Sequence, residues 1–168
     1  MTTSLSTTKA LPSMQRVEIH SELELIWAAG LFEGEGTVSI NKAHKKHRGT
    51  LRCMVGSTDI EIVKFFLARW GGHWHEVKAS GNKQTAWKWS VAATKAEKFL
   101  RKIFPYIYTK RVKEKALLGL EFQSQKIIGR GSHSQKYRER QFEYYTRMKH
   151  LNLRGIKQKI HTLREHMA

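Results

Sequence analysis

Residues 21–36 read Ser21-Glu22-Leu23-Glu24-Leu25-Ile26-Trp27-Ala28-Ala29-Gly30-Leu31-Phe32-Glu33-Gly34-Glu35-Gly36, and this stretch decides the fold. Leu23, Ile26, Trp27, Gly30 and Leu31 recur at helical spacing, and Ser21 followed three positions later by Glu24 makes a capping box, so a helix is expected to start here. Gly34 and Gly36 are poor helix-interior residues. The helix is therefore expected to end near Glu35, with a glycine just beyond it free to turn left-handed. Gly30 and Gly34 sit four apart with Ala29 beside them, a small-residue face that lets another helix come almost backbone to backbone. Ala29, Gly30, Glu33 and Gly34 are the expected interface. Two helices paired in this way would bring their Glu35 carboxylates together at the negative ends of both dipoles, where they repel unless a divalent cation lies between them.

Working outward, Thr37 to Asn41 and Thr50 to Val55 alternate polar and apolar residues around the basic turn AHKKHRG, which predicts a hairpin. Thr58 is expected to cap a second helix, Asp59 to Trp70, whose stripe of Ile60, Ile62, Val63, Phe66, Leu67 and Trp70 faces the core; Gly71-Gly72 closes it. Strands return at His73–Lys78 and Gln84–Val91, with Trp87, Trp89 and Val91 at period two and pointing inward. A third helix follows, carrying Ala96, Phe99, Leu100 and Ile103 toward Phe104-Pro105. Residues 110–127 and a segment reaching about Leu153 read as further helices. The loop GRGSHS between them reads as a linker, and the chain ends in a basic tail.

The composition narrows the partner. In 168 residues, 31 Lys and Arg face 14 Asp and Glu, a formal charge of +17 whose self-repulsion is relieved beside a polyanion, so nucleic acid is expected. Five Trp and seven Phe supply a core that a disordered chain would lack. The lone Cys53 cannot form an intramolecular disulfide or a cysteine-rich zinc site. The His44/His47 and His73/His75 pairs are ordinary coincidences in a chain with nine His. No apolar run can span a bilayer, and the opening residues lack a secretory signal, so a cytoplasmic or organellar-matrix protein, not a secreted or membrane one, is expected. Residues 1–20 read as a flexible leader, 21–127 as the core and 128–168 as a helical extension with its tail.

Ala28-Ala29-Gly30-Leu31-Phe32-Glu33-Gly34-Glu35-Gly36 resembles the signature of the LAGLIDADG homing endonucleases, with Glu in place of both Asp residues. The resemblance extends to the αββαββα order and to Pro105-Tyr106-Ile107-Tyr108-Thr109-Lys110, similar to the family's proline and active-site lysine. Leu151-Asn152-Leu153-Arg154-Gly155 is similar to the tails of small members. It implies an α+β fold with a saddle-shaped antiparallel sheet in the DNA major groove. Because the signature occurs once, it also implies a homodimer. Carried over by position, Glu35 is the Mg²⁺-binding carboxylate (Mn²⁺ substituting), the Gly34 carbonyl shares the metal, Lys110 stabilises charge at the scissile phosphate and Ser57 stands nearest the family's polar residue near the catalytic water. No other small-molecule cofactor is implied. Arg52 and Lys64 are the basic residues considered as its neighbour.

Alternation then assigns the reading face. With Val38, Ile40, Leu51, Cys53 and Val55 inward, Thr37, Ser39, Asn41, Thr50, Arg52 and Met54 point toward double-stranded DNA, joined by Lys83, Lys88 and Ser90 from the second hairpin. Lys45, Lys46 and Arg48 in the turn, and Arg111, Lys113 and Lys115, are expected to neutralise phosphates. Two other readings remain: a non-cleaving binder of the same fold, either an intron maturase or a transcription regulator, and a basic RNA-binding structural protein.

Overall fold

The computed structural model describes residues 21–42, 49–79, 81, 84–125 and 134–153. Helix α1 (Glu22–Glu35) leads into β1 (Gly36–Lys42) and β2 (Gly49–Ser57). Then come α2 (Ile60–Trp70), β3 (His73–Val77), β4 (Ala86–Ala92) and α3 (Ala93–Ile103). A 3₁₀ turn, Phe104–Tyr106, precedes α4 (Lys110–Ser124) and α5 (Gln135–Asn152). The fold is α+β, with the expected αββαββα order followed by two further helices. Its four strands form one antiparallel sheet in the order β1-β2-β4-β3. Among the described residues, no helix is long and apolar enough to cross a membrane.

Local chemistry explains most of the boundaries. At the start of α1, Ser21 Oγ accepts from the Glu24 N–H at 3.2 Å while the Glu24 carboxylate accepts from the Ser21 N–H at 3.3 Å, the reciprocal box expected there. The helix does end at Glu35, but Gly36 is extended (φ −89°) rather than left-handed. Glycine is needed at this point for space, since a Cβ would lie 2.4 Å from the Phe32 ring. The cap of α2 is Asp59, not Thr58: its carboxylate accepts from the Glu61 N–H at 2.9 Å, and the helix begins one residue later than expected. Strong apolar alternation could not separate two adjacent capping residues. Helix α4 stops at Ser124, short of 127; residues 126 and 127 lie outside the described residues.

The core lies between the helices and one face of the sheet. Trp89 packs its ring 4.9 Å from Phe66 and 5.2 Å from Phe99, and Phe99 lies 5.0 Å from Trp70 and 5.1 Å from Phe32. Most of these contacts are edge-to-face, and such pairs each add roughly 0.5–1.5 kcal/mol beyond simple area burial. Trp89 is fully buried, yet its indole N–H is satisfied by the Gly71 carbonyl at 2.7 Å. Gly71 (φ 62°) and Gly72 (φ 95°) turn the chain from α2 into β3, both left-handed.

Helix α5 closes the edge of the sheet. Tyr144 and Met148 join the core, Asn152 Nδ2 donates to the carbonyl of Val38 on the outer strand β1 at 2.9 Å, and the Tyr144 hydroxyl donates to Glu121 of α4 at 2.8 Å. Arg111 locks this arrangement. Its guanidinium donates to the Leu151 carbonyl at 3.0 and 3.2 Å and also to the Leu153 carbonyl, satisfying the open end of α5.

Gly72→Ala combines a forbidden φ with a Cβ placed 2.4 Å from the Ser90 carbonyl oxygen. Chemical denaturation should record a loss of about 2 kcal/mol or more. A stability equal to that of the parent would refute this account of the α2–β3 turn.

Candidate metal site and nucleic-acid interface

Helix α1 has two unlike sides. Ala28, Ala29 and Phe32 are buried against the chain's own core, while Leu23 (78% exposed), Ile26 (47%) and Trp27 (45%) look outward. Gly30 and Gly34 share that outward side, and a Cβ added to either would meet nothing within 4 Å. Packing among the described residues therefore gives no reason for either glycine. Ala29, expected beside them on a contact surface, is instead wholly covered within the chain, because its one-residue offset rotates it about 100° away.

Glu35 is exposed at the C-terminal end of α1, whose last turn carries no basic residue, and no ion pair involves it among the described residues. A free carboxylate at the negative end of a helix dipole suits a hard divalent cation. Among the described residues, no three His, Cys, Asp or Glu side chains cluster as metal ligands. Gly34 is likewise exposed, one position before it.

Glu33 is engaged within the chain. Its Oε1 accepts from the backbone N–H groups of Tyr108 at 3.0 Å and Thr109 at 2.6 Å, immediately before α4. Partial burial pushes its acidity the other way, but the Thr109 backbone and hydroxyl bonds, the Tyr108 bond and the Lys113 charge outweigh it and hold the carboxyl below its ordinary range. Lys110 opens α4 as an exposed side chain on the residue after Thr109. Ser57 ends β2, and its Oγ accepts from the Asp59 N–H at 2.9 Å, so this hydroxyl shapes the turn into α2.

The strand register builds a polar face opposite the core. One row across the sheet runs Thr37, Met54, Ser90, His73; the next pairs Ser39 with Arg52 and Ala92; Asn41 sits opposite Thr50; and Gly56, Lys88 and His75 make another. Thr37, Ser39, Asn41, Thr50, Arg52, Met54, Lys88 and Ser90 thus share one surface, as alternation suggested. Trp89 fills the core on the other side, with Trp87 half-buried against it. His73 and His75 also belong to this polar face, a placement that alternation along the sequence does not assign to them. Considered as a metal pair, they gave no hint of it, and only the pairing of exposed β3 with β4 places them beside Ser90 and Lys88. Lys45, Lys46, Arg48 and Lys83 lie outside the described residues.

The basic residues of α4 divide. Arg111 donates to the Leu151 and Leu153 carbonyls, and Lys115 is buried. Lys113 is half-buried and acts electrostatically on Glu33. Charge counting could not distinguish these from solvent-facing lysines, because their partners lie far along the chain. Lys64 pairs with Glu61 at 2.7 Å, whereas Arg52 sits in the middle of the polar face.

No protein-family model matches the chain, and no curated protein matches it. Solved structures do. The chain is similar to the homing endonuclease I-CvuI in complex with its target in the presence of 2 mM Ca (TM-score 0.59, 15% identity, covering 80% of this chain and 85% of that one). It is similar to the same enzyme with the I-CreI target in 2 mM Mg, where the DNA is not cleaved (TM-score 0.58, 14% identity, 80% and 85% covered). It is also similar to the archaeal intron-encoded homing endonuclease I-Vdi141I complexed with DNA (TM-score 0.62, 18% identity, 81% and 88% covered). A paired-glycine helix ending in an exposed carboxylate, a sheet with one polar face, and this likeness converge: the chain has the fold of the LAGLIDADG homing endonucleases.

Proposed function

We propose that this chain is a site-specific, metal-dependent DNA endonuclease that acts as a homodimer and makes a double-strand break with short 3′ overhangs at a long, near-palindromic site. The observation that carries this reading is the outward pair Gly30 and Gly34 on a helix that also exposes Leu23, Ile26 and Trp27 and ends in the exposed Glu35. A second copy laid on this side buries the apolar residues, gives the glycines a purpose and brings two Glu35 carboxylates together. Burying such a stripe contributes roughly 25 cal/mol per Å² of apolar area removed from water.

The residues then divide the work. Glu35 from each copy, with the Gly34 carbonyl, would hold Mg²⁺ or Mn²⁺, which when bound supplies Lewis-acid stabilisation of the phosphate and leaving oxygen together with activation of water. Lys110 places a positive charge beside the phosphoryl oxygens as their charge grows. Arg52 suits guanine edges and Asn41 adenine edges, each good pair contributing roughly 1–3 kcal/mol of discrimination, while Met54 offers an apolar contact to thymine methyls. Lys88, with His73 and His75 beside it, lies along the same face toward the second hairpin's edge of the duplex. The chain's excess of 31 basic over 14 acidic residues favours this polyanionic partner. A setting in a cytoplasm or organelle matrix and origin in a mobile intron, an intein or a free-standing gene accord with this function.

Glu35→Gln should bind a DNA selected from a randomised duplex library as the parent does, yet cut it at least about 100-fold more slowly in Mg²⁺. Equal cutting would remove Glu35 from the reaction, and a parent that binds but never cuts would favour the maturase or regulator reading. A Cβ at Gly30 meets nothing within 4 Å among the described residues, so Gly30→Leu should remain folded while sedimenting as a monomer and losing cleavage. A dimeric, active variant would defeat the symmetric arrangement. Salt titration of binding separates the two kinds of basic residue. Lys88→Ala should reduce the slope of log affinity against log salt by about one, whereas Arg111→Ala, whose charge serves α5, should leave the slope unchanged. The reverse pattern would move the phosphate contacts from the sheet to α4.

A further inference from the structure

The geometry points to Glu33 as a positioning residue that fixes Lys110 relative to Glu35 by holding the start of α4 against the end of α1. This rests on the nuclease reading above and adds a role to a carboxylate that the dimer expectation had placed between chains. Thr109, the residue that caps α4, makes no side-chain capping bond of its own. Just before the helix, the N–H groups of both Tyr108 and Thr109 donate to one oxygen of Glu33, 75 residues earlier in the chain, at 3.0 and 2.6 Å. Bonds from backbone N–H to an ionised carboxylate are short and about twice as strong as neutral ones, and an anion at this end of a helix also meets the positive pole of its dipole.

The placement is what gives the bond a catalytic consequence. Glu33 lies two residues before Glu35 on the same last turn of α1, and Lys110 follows Thr109 directly. A single carboxylate thus joins the short segments that carry the metal ligand and the cation. The Tyr106 hydroxyl, donating to Glu22 at 3.5 Å, ties the same connecting segment to the far end of α1. Lys110 itself is exposed and lies at the first helical position, where helices fray, so the accuracy of its placement depends on how firmly residues 108 and 109 are held. A misplacement of about 1 Å can cost about a hundredfold in rate.

The test uses the full chain with Glu33→Ala, Glu33→Gln, Lys110→Met and the double variant Glu33→Ala/Lys110→Met. Amide hydrogen exchange is read at Tyr108 and Thr109, DNA affinity in Ca²⁺, and single-turnover cutting in Mg²⁺. Glu33→Ala should speed exchange at both amides and slow cutting, each by at least about tenfold, while affinity stays within about threefold. Glu33→Gln, which keeps the shape and an acceptor oxygen but not the charge, should fall between Glu33→Ala and the parent and serves as the deciding variant if Glu33→Ala does not fold. In the double variant, losing Glu33 should cost less than about threefold beyond Lys110→Met, because its effect passes through that lysine. A parent that cuts no DNA overturns the nuclease reading itself. A cutting parent with unchanged Glu33 variants, or with penalties that simply multiply in the double variant, overturns the role of Glu33 alone.

Discussion

The insertion of Trp89 between Phe66, Phe99 and Trp70 is the constraint on which the rest of the molecule depends. A strand has two faces and alternates between them, so fixing one indole in the core fixes where every residue of β4 points. Through the pairing register it does the same for β2, β1 and β3. The helices cover that side and leave the other as a continuous polar surface. A slip of one residue would bury Lys88 and Ser90 and expose Trp89, at a cost no local preference could offset. The polar face is thus a by-product of how the aromatic residues pack.

Helix α1 resolves two demands on one element. It needs an inner side for the core, supplied by Ala28, Ala29 and Phe32, which are small or flat enough to bring the helix close to α3 and the sheet. It also needs an outer side, and there apolar residues and glycines stand open to solvent. A conventional surface helix would carry charge at Ile26, Trp27 and Gly30; a contiguous apolar strip with removable bulk is the pattern of a surface meant to be covered.

Much of this was legible in the residues themselves. The capping box at Ser21, the two-residue period of β2 and β4, most of the core stripe of α2 and the whole inward set of α3 follow from local physics, with Ile60 of the α2 stripe left outside the core. The Leu23, Ile26, Trp27 and Gly30 spacing correctly announced a helix, but not which way it faced. That depends on partners brought in from α3, the 3₁₀ turn and the sheet. The same limit applies to the candidate site. Glu35 and Lys110 could be named from a motif, whereas the bond between Glu33 and residues 108 and 109, the diversion of Arg111 to α5 and the membership of His73 and His75 in the polar face arise from contacts between distant parts of the chain. Composition counts lysines and arginines without saying which are already occupied.

The joining of Asn152 to Val38 has a consequence during synthesis. The two residues are 114 positions apart, so among the described residues this cover over the outer edge of β1 is completed only when the last turn of α5 has left the ribosome. For most of translation the nascent chain carries an unguarded strand with free backbone groups, the kind of edge along which unfinished molecules stick to one another. A message truncated before codon 152 would therefore yield a product prone to aggregate, even though every strand of the sheet is already present.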